Sequence, residues 1–250
     1  MYIRAVHAGS SLKVLRQLIR DHPLGLLTTA IQSKEFPFLQ SSHIPFILDV
    51  DDETSETETG RLRGHLARQN PHSKAMIESL TSQPDREGVL EHDVVVIFTA
   101  QHHYVTPKFY TETKPSTGKV VPTWNYAAAQ IYGRAKIYYD SRSDDTSQFL
   151  QKQITDLTKH AETHIMGYVG GERPKDWKVT DAPERYIEIL RKNIIGIEIE
   201  VERLEGKFKM SQEMGKGDRE GVASGFDELG TDVAQEISSI VKQRSEEKDG

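Results

Sequence analysis

The sequence predicts a mainly β protein of the α+β kind, an antiparallel sheet closed into a barrel with helices at its periphery. Three observations carry this. Strand-like segments follow one another with few helices between them, which favours antiparallel pairing over a doubly wound parallel sheet. The strongest of them, DVVVIFT at 93–99 and GIEIEVERL at 196–204, are rich in β-branched residues, and the second alternates apolar with charged positions. No GxGxxG or GxxxxGK[ST] motif follows any strand, as a parallel nucleotide-binding sheet requires.

Taken in order, Leu12, Leu15, Leu18 and Ile19 share one helical face after Ser10-Ser11, which can cap it, and Pro23 ends it. Residues 24–31 (LGLLTTAI) and 36–48 read as strands. Asp49–Gly60 is acidic, lacks apolar periodicity and reads as an exposed, mobile hairpin loop. Arg61–Arg68 alternates as a strand, and Asn70-Pro71 opens a short helix through Leu80. Strands follow at Val89–Thr99, at Tyr104–Tyr110 ending at Pro107, and at Thr123–Tyr139, with Lys114–Gly118 as a loop. Asp144–His160 is a helix with Phe149, Leu150, Ile154 and Leu157 as its stripe; Tyr168–Lys178 is a loop, and Pro183–Arg191 a helix begun by its proline. Ile194–Leu204 is a strand, Lys207–Met210 a short addition, and two helical patterns run from Asp218 to a fraying SEEKDG tail. We expect one domain over residues 1–225 and a C-terminal helical extension over 226–250, packed on that domain or swapped onto a partner.

Composition bounds the function. The chain has 250 residues, 36% hydrophobic and 28% charged, enough apolar material for a sizeable core. No apolar run approaches a bilayer span, and the charged, amphipathic N-terminus does not read as a secretory signal. The absence of cysteine excludes disulfides, thiolate nucleophiles and cysteine metal sites, and fits a reducing, cytoplasmic setting. A net charge of −6 and a pI of about 5.9 give no general electrostatic reason to bind nucleic acid. Neither HExxH nor GxSxG is present, so the commonest metalloproteases and serine hydrolases are not expected.

Four polar constellations remain. Arg63 and His65 fall on one face of a strand, with Gly64 between them and Arg68 beyond; they suit a phosphate, or form a solvated edge. Lys119, Thr123, Trp124, Asn125 and Tyr126 combine a charge, hydrogen-bonding groups and flat apolar rings that suit an aromatic ligand, or pack as core at a barrel rim. His102, His103, His43 and His65 suit a metal if they converge, or are surface or hydrogen-bonded histidines; His102 and His103 are adjacent on a strand and point to opposite faces, and no carboxylate lies at a telling spacing, so no metal site is expected. Lys207 and Lys209 alternate ahead of Ser211 and Gln212, an arrangement suited to an anion or to a protected edge strand.

The residues also carry a resemblance. MYIR at the start, HIPFIL at His43–Leu48, LRGHLARQNP at Leu62–Pro71, YVTPKFY at Tyr104–Tyr110, KVVPTWNYAAAQIYGRA at Lys119–Ala135 and GIEIEVERLEGKFKMSQ at Gly196–Gln212 resemble, in collinear order, the PaiB-type family of FMN-binding negative transcriptional regulators. The resemblance spans roughly residues 1–225. It implies a split β-barrel of the FMN-binding type and a homodimer with FMN at the subunit interface. Carried over by position, the implied cofactor residues are Arg63, His65, Thr123, Trp124, Asn125, Lys209, Ser211 and Gln212, with Lys119 and Arg134 as weaker members. The acidic loop, the segment His164–Lys175 and the tail after Gly225 are longer than in compact bacterial members, which points to a divergent one.

Three functions follow from that resemblance. The first is a flavin-dependent oxidoreductase that takes electrons from NAD(P)H to a small molecule, with His65, Tyr104 and Tyr110 as candidate proton donors. The second is a non-catalytic regulatory protein that responds to a ligand, although no helix-turn-helix is recognisable. The third is a haem-binding or haem-degrading split barrel, with His43, His65, His102 or His103 as axial ligand.

Overall fold

The computed structural model describes residues 1–9 and 11–249, so the expected cap at Ser10 lies outside the described residues. The strands are β1 (Ala8–Gly9), β2 (Leu24–Ala30), β3 (Leu39–Pro45), β4 (Ile47–Asp49), β5 (Arg61–Ala67), β6 (Val94–Val105), β7 (Thr123–Tyr138) and β8 (Ile194–Lys209). The helices are α1 (Leu12–Asp21), α2 (Pro71–Thr81), α3 (Thr113–Thr117), α4 (Asp144–His160), α5 (Glu184–Lys192), α6 (Lys216–Leu229) and α7 (Asp232–Asp249). The hydrogen-bonded order is β3-β2-β6-β7-β8-β5-β4, with β1 added to β8. The ladders β2–β3, β2–β6, β4–β5, β5–β8 and β1–β8 are all antiparallel. This is the antiparallel split barrel with peripheral helices that the sequence predicts. No helix among the described residues is long and apolar enough to cross a membrane.

Five expectations are corrected. The ladder is not closed: it ends at β3 and β4, which the chain joins through Phe46. Pro45 has no N–H to donate, and the N–H of Phe46 goes to the carbonyl of Pro23 (2.8 Å), so pairing breaks where the chain turns from one end of the sheet to the other. The strand around DVVVIFT starts at Val94 and continues as one strand to Val105, and YVTPKFY passes into a single 3-10 turn at Pro107–Phe109. Strand β8 likewise runs unbroken to Lys209. The loop expected at Lys114–Gly118 is the one-turn helix α3, too short to show apolar periodicity. The acidic loop is tied down: the buried Arg16 donates to the carbonyls of Glu53 and Glu58, and the Glu58 carboxylate accepts the N–H groups of Asp51 and Asp52.

By internal contacts the chain forms two compact units. One comprises Met1–Ser11, Thr99–Ala129 and Glu205–Gly250; the other comprises Leu12–Phe98 and Gln130–Leu204. The latter, hereafter the second unit, is built on alternation: Leu27, Ile44, Phe46, Leu62, Phe98, Ile131, Ile195, Ile197 and Ile199 are buried, and Phe46 meets Phe98 edge-on at 6.0 Å. Two glycines are required by close approach. A Cβ on Gly133 would stand 1.9 Å from the carbonyl oxygen of Glu200, and one on Gly64 would stand 2.8 Å from the Phe46 ring.

Helix α2 is pinned to the sheet by His72. Its Nε2 lies 2.8 Å from Thr29 Oγ1 and its Nδ1 2.9 Å from Ser42 Oγ, which joins α2 to β2 and β3. Burial pushes this imidazole from the usual 6.5 down to about 4. The unfolded chain therefore takes up the proton first as pH falls, so stability is full above about 6.5 and is lost progressively towards about 4. The interval corresponds to about 3 kcal/mol. Urea unfolding midpoints measured across that range should fall accordingly, and His72→Gln should flatten the profile; an unchanged profile in the variant would assign the effect elsewhere.

The first unit is held by α6 and α7. Val222, Phe226, Ala234, Ile237 and Val241 are buried, and Ser238 Oγ donates to the Ala223 carbonyl at 2.9 Å. Phe226 stands edge-on to Phe109 and His103, at 5.4 and 5.2 Å. Asp218, fully buried, accepts the N–H groups of Glu112 (2.9 Å) and Thr113 (3.1 Å).

Candidate functional site

The first unit gathers Thr123, Trp124 and Asn125 from the start of β7 with Lys209 from the end of β8 and Ser211 and Gln212 from the turn that follows. Lys209 is half-buried, and its ammonium donates to Thr123 Oγ1 (2.6 Å) and the Trp124 carbonyl (2.9 Å). Two of its three N–H donors are thereby used, and Glu213 Oε1 lies 3.9 Å away, an ion-pair distance. Burial holds the Lys209 pKa below the usual lysine value, partly offset by Glu213. Strand alternation then separates its neighbours. Trp124 points outward, 53% exposed, with Tyr104 and His102 rings 6.2 and 5.9 Å from its own. Asn125 points inward and is fully buried.

The turn after β8 is strained. Ser211 is left-handed (φ 63°), an uncommon conformation for a residue with a side chain, at a cost of about 1–3 kcal/mol. Its Oγ donates to Asn125 Oδ1 at 3.1 Å. Gln212 closes the turn on itself: its Oε1 accepts from the Met210 N–H at 2.6 Å and its Nε2 donates to the Phe208 carbonyl. Gln212 is thus a support for the turn. The Nδ2 of Asn125 has no hydrogen-bond partner among the described residues.

The remaining predicted residues have other surroundings. In the second unit, the buried Arg63 forks onto Asp49 through Nε and Nη2 (Nη2 at 2.8 Å), and Nη2 also reaches Asp156 Oδ2 at 2.7 Å. Nη1 adds a contact to Gln153 Oε1 at 3.4 Å. Its donors are therefore engaged by carboxylates of its own unit. His65, also on β5, has an Nδ1 without a hydrogen-bond partner among the described residues, and burial pushes its pKa down, so it stays neutral at neutral pH. Arg134 donates to the Leu90 carbonyl at 3.2 Å, and the side chain of Lys119 is exposed on the loop before β7. His102 and His103 face opposite ways, towards Trp124 and Phe226. Among the described residues, no group of three or more His, Cys, Asp or Glu is placed to hold a metal ion.

Glu213, beside Lys209, and a histidine behind it were not expected. Glu213 and the buried His7 meet through Glu213 Oε2 and His7 Nε2 at 3.1 Å. They are 206 positions apart in sequence, and no spacing motif connects them.

The donor set fits FMN. A half-buried ammonium with adjoining hydroxyls suits a phosphate, an unpaired amide N–H suits a heterocycle edge, and an exposed indole offers a flat apolar face. An uncharacterised protein of Emericella nidulans is 59% identical over 255 residues, covering 100% of this chain and 99% of that protein. Protease synthase and sporulation protein PAI 2 of Bacillus subtilis is 22% identical over 218 residues, covering 87% of this chain and 85% of that protein. Among solved structures, the flavocytochrome of Azotobacter vinelandii superposes with a TM-score of 0.43 at 13% identity, over 83% of this chain and 72% of that one. The model of the family described as "Putative FMN-binding domain" matches residues 1–203, and the chain belongs to that family.

Proposed function

We propose that this FMN-binding split barrel is a flavin-dependent oxidoreductase acting on a small molecule, with the cofactor held by the first unit. FMN, when bound, would supply the two-electron redox chemistry. The chain supplies the rest. Lys209 and Thr123 hold the phosphate, Trp124 offers a stacking surface, and Tyr104, 43% exposed beside Trp124, offers a phenolic proton at Oη. A second copy of the chain is the expected partner.

The observation that carries this reading is the Nδ2 of Asn125, buried and unpaired next to the strained Ser211. An unsatisfied buried donor costs about 1–3 kcal/mol. A ligand acceptor at that position would remove the cost, which gives the asparagine on the buried face of β7 a role.

The test is spectroscopic. The purified protein should bind FMN on titration and turn yellow, and NAD(P)H should bleach it under anaerobic conditions. A folded protein that stays colourless with FMN refutes the binding site. A yellow protein that no reduced nicotinamide bleaches refutes nicotinamide-driven turnover and favours the regulatory role.

A further inference from the structure

A buried histidine stands behind the lysine of the proposed site. His7 is 3% exposed, and its Nε2 lies 3.1 Å from Glu213 Oε2, while the other oxygen of Glu213 lies 3.9 Å from Lys209 Nζ. Lys209 in turn is anchored on Thr123 and the Trp124 carbonyl. One carboxylate therefore sits between an ammonium and an imidazole. The position of His7 is fixed by the strand that carries Lys209: its own N–H closes a turn onto the Arg4 carbonyl, and the next residue, Ala8, pairs with Lys207 of β8.

We propose that Glu213 is shared between Lys209 and His7, and that a phosphate monoester arriving at Lys209 hands Glu213 over to His7, which takes up a proton from solvent. This rests on the reading of Lys209 as the residue that meets the FMN phosphate. Before binding, the Glu213 carboxylate lies between the Lys209 ammonium and the His7 imidazole. Once the phosphate pairs with Lys209, Glu213 has lost its cation in a half-buried place. An imidazole already at hydrogen-bond distance restores the balance by forming one N–H bond, with the proton drawn from water and no rearrangement of the chain.

The other charged and titratable groups around the array are less suited to the proton. Burial tends to raise the Glu213 carboxyl, but its own backbone N–H, His7 and Lys209 hold it below the usual range. Burial, with Glu213 and Asp218 adding to it, pushes the Tyr110 phenol up, so it is already protonated and has no site to accept one. Asp218 is held low by the N–H groups of Glu112 and Thr113 and by the Thr113 side chain, against the effect of burial. Arg4 and Lys207 bear on Lys209 and are cations already. On this proposal the bound array holds one proton more than the free one.

Isothermal titration calorimetry of the full chain in two buffers of different ionisation heat, at one near-neutral pH, reads the proton count directly. FMN should bind with net proton uptake, and riboflavin, which lacks the phosphate, should bind without it. In His7→Gln, whose amide reaches where Nε2 does, the uptake should vanish and FMN should bind several-fold more weakly, with riboflavin unaffected. In Glu213→Gln the uptake should also vanish, but FMN should bind at least as tightly, because Lys209 loses its competitor; this variant keeps the test decisive should His7→Gln fail to fold. Comparing variant with parent cancels the ionisation of the ligand's own phosphate. Uptake that persists in either variant, or that riboflavin shares, overturns the proposal. A parent protein that binds neither flavin overturns the FMN reading beneath it.

Discussion

Lys209→Met is expected to weaken FMN binding by about ten- to a hundredfold while leaving riboflavin binding nearly unchanged. The range comes from the charge-assisted hydrogen bond between an ammonium and a phosphate, worth about 1.5–3 kcal/mol when one partner is charged. Two features of the site set where in the range the result falls. Thr123 and the Trp124 carbonyl hold the ammonium in place before any ligand arrives, so little side-chain freedom is lost on binding. Glu213 competes with the phosphate for the same cation, which reduces the gain. Methionine matches the lysine stem in length and flexibility, so the packing beneath the amine survives. Equal losses for FMN and riboflavin would move Lys209 from the phosphate to the ring; no loss with either would remove it from the site.

Some of that site was legible before any coordinates. Asn125 is in phase with Ala127, Ala129, Ile131, Ala135 and Ile137, all buried, so alternation alone marks it as a polar residue on an apolar face. Trp124, out of phase, is on the other face and exposed, which settles its choice between core and surface. Lys209, Ser211 and Gln212 were grouped by sequence, but the turn was expected at Glu205-Gly206, where β8 in fact continues, and their separate roles rest on tertiary contacts. Gln212 spends its amide on its own turn, whereas Ser211 reaches back 86 positions to Asn125. Arg63 shows the limit most clearly. Its strand and its face were predicted, but the carboxylates that engage it come from 14 positions before and 93 positions after.

For the fold, periodicity found every segment long enough to bury a face, and it failed where backbone pairing outlasts the side-chain pattern. The run Gln101-His102-His103 interrupts the apolar alternation of β6, and Glu205-Gly206 interrupts that of β8, but a strand continues as long as its neighbours supply hydrogen bonds. The open end of the ladder at Pro45 was visible as a residue without a donor; that the chain turns there from one end of the sheet to the other was not. The loop of residues 49–60 looked free because its anchor, Arg16, is the polar neighbour of Leu15 in an amphipathic helix, and helical spacing alone does not say that it is buried.

Removing residues 231–250 is expected to abolish cooperative folding of the first unit and FMN binding with it. The sequence placed a boundary at residue 225, which falls inside α6, one position before the fully buried Phe226. Without α7, Val222 and Phe226 lose the cover of Ala234, Ile237 and Val241. Each large apolar side chain returned to water costs about 1.5–3 kcal/mol. Arg219, 2% exposed, also loses Ser245 and Asp249, two of its three partners. A buried cation stripped of its counter-ion is among the costlier defects a fold can carry, and the sum approaches the 5–15 kcal/mol that typically holds a domain together. The damage reaches the site through the turn. The third partner of Arg219 is the Met214 carbonyl at 3.0 Å, and Lys248 donates to that same carbonyl at 3.0 Å, so α7 helps to fix the segment that presents Ser211 and Glu213. Arg244 over the Phe208 ring, 4.2 Å from its centroid, braces the end of β8 just before Lys209. Circular dichroism melts and FMN titrations of the chain ending at Gly230 decide the matter. Weak, non-cooperative melting with no FMN binding is the expected outcome, and a parent-like melt with parent-like affinity would show that α7 is a dispensable tail.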